Sequence, residues 1–543
     1  MMDYSKSSMP LLVTAFLAAG ITGGTSYAFG LYGQALKEEL HLTQGQLDTI
    51  SSASFCAGVA SWIPGLFVDK FGEKCSMISG GLVAASALMS FWAVARRFID
   101  IPVAGLVPIL SLFGVLMFLG CALITGSVFK LIVSNTLPNN KGSAVGAAKG
   151  FVGLGSGAFA VLFEALNRKT DLDFLPLAAF FFLIACTLPA ICFLPGKGEC
   201  KRVDVSTSSH YTSLYLGLIA MGVLVAGEAF LDLLEGNEEL NDQRDGPDYL
   251  MAILVPCVWF GPILGLFLLP TATHTILPFD LQDEDDDSPL NVQEKESNSY
   301  KDDPDAEDDE QQDLEEIDQA PVVAPVDTVQ DRNLAQMLMT FPAWLMLWTC
   351  VIAVGGGTVI TNNMGQMVVA LRFEHKVTAA ALSIFSVAQS FARVMSGSLS
   401  SMAKRRTSFL IIASGLGAVA HVVLAIATDE YAFIAGVFLS GLAFGMVWPL
   451  MVLISGELFG IENVGANYMF YDGLTSALGT LALSKFVAQK VYEDEIGSGG
   501  DGVTCYGQEC FQMTNWIIVG LAITGILTSW CMDCCPLTRQ VYG

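Results

Sequence analysis

Long runs of apolar residues, separated by short polar segments, fill this chain from Pro10 to Met532. Each run is about twenty residues long, which is the length of helix that crosses the hydrocarbon core of a bilayer. Because backbone groups in lipid must be hydrogen-bonded within the chain, the runs predict transmembrane helices. We expect fourteen spans, at 10–32, 45–67, 76–95, 104–133, 142–166, 173–194, 212–234, 249–269, 338–360, 378–400, 408–427, 431–456, 464–487 and 513–532.

The predicted spans fall into groups of six, two and six, and the two outer groups look like copies of one plan. GLFVDKFGEK at 65–74 and GSLSSMAKRR at 397–406 each follow the second span of their group. Parallel repeats of this kind are typical of transporters with a central path between two halves. We therefore predict an all-α membrane protein with four parts: an N-terminal six-helix bundle (1–196), two additional helices (197–270), an acidic disordered cytoplasmic loop (271–337) and a C-terminal six-helix bundle (338–543).

The strongly acidic composition describes one segment rather than the whole chain. Residues 280–318 hold 19 Asp or Glu and two Lys, which account for most of the formal net charge of -26. Such a segment buries too little apolar surface to fold, and a solvated tether is the plain interpretation. No basic stripe gives a reason to bind nucleic acid. The chain also lacks phosphate-loop, HExxH and GxSxG motifs, so we expect no enzyme activity, no cofactor and no metal site.

Two cations lie well inside predicted spans, away from the span ends, where a charge is costly unless it faces a cavity or a partner. Lys149 lies at the edge of a stripe of glycines on the fifth span, where it either anchors an anionic substrate or extends to the interface. Arg393 lies deep in the tenth span, where it either binds a carboxylate or braces the bundle. Weaker substrate-site candidates, which packing explains equally well, are Gln389, Asn362, Asn363, Gln366, Tyr27 and Tyr468.

Two carboxylates are candidates for proton coupling. Asp472 lies within the thirteenth span, and Asp48 lies early in the second, where a position at the outer interface explains it equally well. Buried carboxylates in spans commonly belong to proton relays. We therefore expect a small-molecule substrate and leave the coupling ion open.

The segment at 65–74 has the Gly-x-x-x-Asp-x-x-Gly-x-basic spacing of the major facilitator superfamily loop between the second and third helices. Longer matches at 23–51, 146–159 and 441–468 resemble nodulin-like transporters, a branch near the monocarboxylate and oxalate/formate carriers. QSFARVMSG, which contains Arg393, resembles the Asp-x-x-x-Arg element of monocarboxylate carriers, with Gln389 in the aspartate position. This departure argues against proton-linked carboxylate symport of the monocarboxylate type.

The resemblance implies that the loop at 65–74 is cytoplasmic and holds the inner gate, with Gly65, Asp69, Lys70, Gly72 and Lys74 as its residues. An even span count then places both termini in the cytosol. On the same side we expect a salt bridge between Glu457 and the basic cluster Lys404, Arg405 and Arg406. The CYGQECF segment resembles a Cys-x-Gly-x-x-Cys-Phe element before the last helix of nodulin-like proteins. Cys505 and Cys510 would lie outside the cytosol, where a disulfide is favoured over a free thiol pair.

These observations predict a multi-pass, monomeric secondary transporter of the major facilitator fold. The expected substrate is a small organic anion, with an amino acid as a close second. The alternatives are a sensor or receptor that keeps the transporter fold, and a carrier of iron or a metal chelate. The plasma membrane and an endomembrane of vacuolar or lysosomal type both fit the sequence.

Overall fold

A computed structural model describes residues 7–26, 29–99, 101–166, 171–197, 203–235, 249–271, 330–374, 376–499 and 505–542. Three sequence predictions lie outside this part of the chain: Tyr27, the side chain of Asp48, and nearly all of the acidic loop. Within this part of the chain, the residues up to 271 and those from 330 onward cluster into one compact unit.

The described residues fold into helices, with a single isolated bridge between Ser7 and Val203. The apolar runs form helices because no partner other than the chain itself satisfies backbone groups in lipid. In chain order, the helices are α1 Met9–Ser26, α2 Phe29–Glu39, α3 Gln44–Cys56, α4 Trp62–Phe71, α5 Glu73–Ala95, α6 Val103–Asn135, α7 Pro138–Leu166, α8 Phe174–Phe181, α9 Leu188–Phe193, α10 Ser208–Glu235, α11 Tyr249–Leu264, α12 Leu334–Leu338, α13 Phe341–Ala370, α14 Lys376–Ser400, α15 Ser408–Ile426, α16 Glu430–Phe459, α17 Val464–Leu478, α18 Gln489–Gly499, α19 Glu509–Cys534 and α20 Pro536–Tyr542.

Within the described residues, eleven helices are long and apolar enough to cross a membrane. The pair formed by Gly45–Ala60 and Trp62–Phe71 is bent by 50°, and counting it as one span gives twelve. The apolar helix Met9–Thr25 is shorter than these. The chain is therefore a multi-pass membrane protein, and the number of fourteen spans stays a prediction.

Two π-helical segments interrupt the regular helices, at Phe182–Thr187 and Gly479–Ala488. The second continues α17 into α18, so the C-terminal part of the predicted span at 464–487 is a wider helix. π-helical turns frequently occur at functional sites. Gly479 allows this turn to approach α13 closely, because a Cβ there would lie 2.8 Å from the Cα of Gly355.

The glycine stripe of α7 packs against α14. A Cβ on Gly146 would lie 3.1 Å from the carbonyl oxygen of Val394, and one on Gly153 would lie 3.3 Å from the Cα of Ser390. Small residues at such positions let two helices approach within backbone contact distance. The stripe therefore brings the Lys149 and Arg393 segments together.

A matching contact joins α4 to α17, another helix pair that connects the two predicted halves. A Cβ on Gly65 of α4 would lie 2.7 Å from the Cα of Ala466 at the start of α17. We call the side of the bundle that carries residues 65–74 the motif end. The other side is the opposite end.

Candidate functional site

A cavity of about 80 Å³ lies at the centre of the bundle, where the two predicted halves meet. Its walls come from α1, α3, α6 and α7 of the first half and from α13, α14, α16 and α17 of the second, with Thr480 from the π-helical segment. We call it the central cavity. It is lined by Thr22, Gly23, Phe55, Phe118, Cys121, Ala122, Thr125, Lys149, Val152, Val354, Thr358, Arg393, Phe444, Trp448, Met469, Asp472, Ser476 and Thr480.

Lys149 is buried in the wall of this cavity. Its ammonium donates a hydrogen bond to the hydroxyl of Tyr468 and a charged one, 3.0 Å long, to Oδ1 of Asp472. Tyr468 in turn donates to the same carboxylate. The ammonium also lies 4.4 Å from the ring centroid of Phe129 and 5.1 Å from that of Trp448, distances at which cation–π attraction operates. Lys149 thus extends into the protein and not to the interface.

Arg393 lies beside it on α14 and is 1% exposed. Its guanidinium donates to the main-chain oxygen of Lys149 at 3.1 Å and to Oε1 of Gln389 at 2.8 Å. Its central carbon lies 5.5 Å from the ring centroid of Trp448. The structure therefore brings Lys149, Arg393, Gln389, Tyr468 and Asp472 together, although they come from three helices far apart in sequence.

The amide candidates lie elsewhere. Asn362, Asn363 and Gln366 line a second, larger cavity of about 660 Å³, together with polar residues of α18 and of the π-helical segment. We call this cavity the vestibule. It lies toward the opposite end and shares Phe55 and Thr480 with the central cavity. The predicted set of substrate residues is thus divided between two compartments, because helix periodicity gives the face of a residue but not its depth relative to the other half.

Asp69 lies at the motif end of the first half and contacts both halves. Its carboxylate accepts from Lys130 Nζ at 2.6 Å and from the main-chain N–H groups of Gly465 and Ala466 at 3.1 and 2.7 Å. These N–H groups belong to the first turn of α17, where the helix dipole favours a negative charge. Sequence reasoning did not select Lys130, which lies on α6, as a functional residue. The sequence shows only that it lies near the end of a predicted span, where lysines commonly extend to the interface.

The second half has the reverse arrangement of charges. Arg406 Nε donates to Oε1 of Glu457 at 2.6 Å, and its Nη1 donates to Ser400 Oγ at 2.9 Å. The hydroxyl of Tyr542 donates to the other oxygen of Glu457 at 2.5 Å. Burial and the carboxylate of Glu457 raise the pKa of Tyr542 well above its ordinary value. Tyr542 therefore remains a hydrogen-bond donor to Glu457 at all physiological pH values.

The other predicted gating residues have smaller roles in the geometry. Gly72 ends α4 with φ of 85°, a conformation that favours glycine. Lys70 lies 5.4 Å from the ring centroid of Phe71, and Lys74 lines a shallow surface pocket. Arg405 Nη1 lies 3.5 Å from the main-chain oxygen of Asp533, and Lys404 is exposed. Of the predicted basic cluster, Arg406 is thus the residue that contacts Glu457.

A disulfide joins Cys505, just before α19, to Cys510 in the first turn of α19. The five-residue separation closes a small ring, for which loop-closure entropy gives a stabilisation of about 2 kcal/mol. We expect Cys505→Ser, or a reducing agent, to lower the melting temperature of the purified protein by several degrees. A thermal unfolding scan with and without reductant measures this shift. Cys257→Ser, which changes an exposed cysteine outside the ring, serves as the control and should leave the melting temperature unchanged.

Comparison with known proteins identifies the family of this chain. The family model for the Major Facilitator Superfamily matches residues 14–484. The chain is similar to Protein NUCLEAR FUSION DEFECTIVE 4 of Arabidopsis thaliana, with 22% identity over 96% of this chain and 87% of that one. It is also similar to Probable transporter MCH1 of Gibberella zeae, with 23% identity over 34% of this chain and 40% of that one.

Among solved structures, the fold resembles that of the proton:xylose symporter XylE bound to 6-bromo-6-deoxy-D-glucose. The TM-score is 0.55 and the identity 12%, over 96% of this chain and 95% of that one. The fold prediction and the nodulin-like resemblance agree with these matches, and the family match over residues 14–484 identifies a transporter rather than an enzyme. This multi-pass membrane protein belongs to the Major Facilitator Superfamily of secondary transporters.

Proposed function

We propose that the chain moves a small organic anion, or an amino acid with its carboxylate, across the membrane by alternating access. The observation that carries this proposal is the placement of Lys149 and Arg393 in the wall of the central cavity, between the two halves. A buried cation that faces a cavity is most economically explained by an anionic ligand. An arginine beside a lysine offers both a planar donor pair and a point charge to a carboxylate.

The two sides of the cavity support an order of events. The vestibule adjoins the central cavity toward the opposite end, whereas Asp69 and Glu457 join helices across the motif end. We assign the motif end and both termini to the cytosol, so that substrate enters from the vestibule. Separation of the Asp69 and Glu457 contacts would then open the path to the cytosol.

Asp472 gives this cycle a point at which a proton can enter. The carboxylate now compensates the charge of Lys149 and is 19% exposed to the cavity. A proton on Asp472 would remove that compensation and leave Lys149 free to bind a substrate carboxylate. The polar or charged groups closest to Asp472 are Lys149, Tyr468 and Arg393. The Cys121 thiol also lies in the cavity wall.

We expect Asp472→Asn to uncouple transport from a proton gradient. The asparagine cannot take up a proton, so Lys149 has the same partner at every pH. For the unchanged protein, uptake into proteoliposomes should be several-fold faster with an acidic external buffer than without a proton gradient. For the variant, the ratio of these two uptake rates should be about one. Glu493→Gln, which changes a carboxylate of the vestibule, should keep the stimulation. An Asp472→Asn protein that still responds fully to the gradient would contradict this role.

Vesicle uptake tests the function itself. Purified protein in proteoliposomes should accumulate a radiolabelled organic anion or exchange it for internal anion, and the flux should saturate. Binding of such anions without any flux would instead support a receptor with a transporter fold.

A further inference from the structure

The charged groups of the central cavity lie near its motif end. Asp472 is eight residues from the start of α17 and Arg393 is seven from the end of α14. At 1.5 Å per residue, both lie roughly 10–12 Å from the motif end. Thr358 and Thr480, by the same measure, lie about 24 Å from it. A ligand carboxylate bound at Lys149 and Arg393 would therefore direct the rest of the ligand toward the vestibule.

The space that the rest of the ligand would occupy is walled by aromatic rings. Phe55, Phe118, Phe444 and Trp448 all line the cavity. Phe444 is fixed between neighbours, with ring centroids 5.4 Å from Phe385 and 5.6 Å from Trp448. A Cβ on Gly357 would lie 2.8 Å from Cγ of Phe444, so this ring packs against bare backbone. A ring held in this way makes a flat, rigid wall.

Five hydroxyl groups line the cavity, and three of them donate to carbonyl groups of their own helices. Thr22 donates to Ala18 and Ala19 carbonyls, Thr358 to the carbonyl of Gly355, and Ser476 to the carbonyl of Asp472. Within the described residues, the cavity lining contains no Asn, Gln or His side chain. The amides lie in the vestibule instead. A ligand rich in hydroxyl groups would therefore lose more hydrogen bonds to water than the cavity replaces, which costs free energy for each unpaired group.

We propose that the transported anion is a carboxylate attached to a flat apolar body, such as an arylalkanoate. This inference rests on the proposed anion transport and specifies its substrate class. The carboxylate lies at Lys149 and Arg393, and the ring lies among Phe55, Phe118, Phe444 and Trp448. Polyhydroxy acids and sugars are poor ligands of this cavity.

Three probes of similar size test the proposal on the purified full-length protein by isothermal titration calorimetry. We expect 3-phenylpropionate to bind roughly tenfold or more tightly than gluconate, since burying a ring supplies at least that difference. The uncharged 3-phenylpropanamide should bind far more weakly than 3-phenylpropionate. Equal affinity for gluconate and 3-phenylpropionate would overturn the aryl-carboxylate inference while leaving the anion site intact.

Two other outcomes would overturn the proposed function as well. If the amide bound as tightly as the acid, the cavity would not recognise charge. If neither anion bound, the cavity would not be an anion site.

Substitutions in the cavity wall test where the ring of the ligand binds. Phe118→Ser should weaken 3-phenylpropionate binding several-fold and leave gluconate binding unchanged, and Phe118→Leu should retain most of the affinity. Phe98→Ser, at a position 70% exposed and outside the cavity, is the matched control. A melting temperature for each variant separates loss of folding from loss of the ring. If Phe118→Ser and Phe98→Ser had the same affinity for 3-phenylpropionate, the ring placement would be wrong.

Discussion

Arg393→Ala is expected to lower the uptake of organic anions by about 10- to 100-fold in kcat/KM, the loss that corresponds to one hydrogen-bonded charge in a buried site. Arg393 lines the central cavity, where its guanidinium carbon lies 5.5 Å from the ring centroid of Trp448. Arg393→Lys should restore part of the activity, because it returns the charge but not the fork. Initial rates of radiolabelled uptake into proteoliposomes measure the effect.

Two control variants distinguish a ligand-binding role of Arg393 from a purely structural one. Lys490→Ala removes a cation from an exposed ion pair with Asp494 and should not change uptake. Gln389→Ala removes a hydrogen-bond partner of Arg393 without removing its charge, and should cost much less activity than Arg393→Ala. If Arg393→Ala lowered only the melting temperature, with unchanged uptake per folded molecule, Arg393 would be a brace rather than a ligand contact.

The double variant Asp69→Asn/Glu457→Gln is expected to shift the protein toward a state that is open at the motif end. Each substitution keeps the shape of the side chain but removes a charge that accepts hydrogen bonds across this end. Charge-assisted hydrogen bonds of this kind contribute about 1.5–3 kcal/mol each, so each change should alter the ratio of states by roughly tenfold or more.

Hydrogen–deuterium exchange measures the shift. In the double variant, amides in the first turn of α17 and the last turn of α4 should exchange faster, because they become exposed when the motif end opens. Amides that line the vestibule should exchange more slowly. Glu430→Gln, an exposed carboxylate in the first turn of α16, is the matched control. Exchange rates that equal those of the unchanged protein would exclude a gating role for both carboxylates.

Much of the fold was predictable because lipid leaves the backbone few choices. The runs of apolar residues predicted the helices α13 to α16 to within about ten residues at each end. The π-helical segment within the predicted span at 464–487 could not be predicted, because a π-helical turn has no distinct composition. The isolated lysine and arginine were also visible in the sequence, since cations inside apolar runs are rare.

The partners of those cations were not predictable. Lys149 and Asp472 are 323 residues apart, and their contact depends on how the two halves dock. Sequence reasoning gave them separate roles, Lys149 as a substrate anchor and Asp472 as a candidate for a proton relay. Lys130 was missed for the opposite reason, because a lysine at the end of a span is ordinary. Tyr542 lies beyond the last predicted span, in a region where the sequence has no periodic signal.

The swapped order of charges at the motif end has a consequence for substrate release. In the first half the carboxylate of Asp69 precedes α5 and the lysine is on α6, whereas in the second half Arg406 precedes α15 and the carboxylate is on α16. When these contacts separate, each half exposes one positive and one negative group to the exit. These four residues therefore add no net charge to the mouth that forms, and any attraction of the mouth for a departing anion comes from other groups.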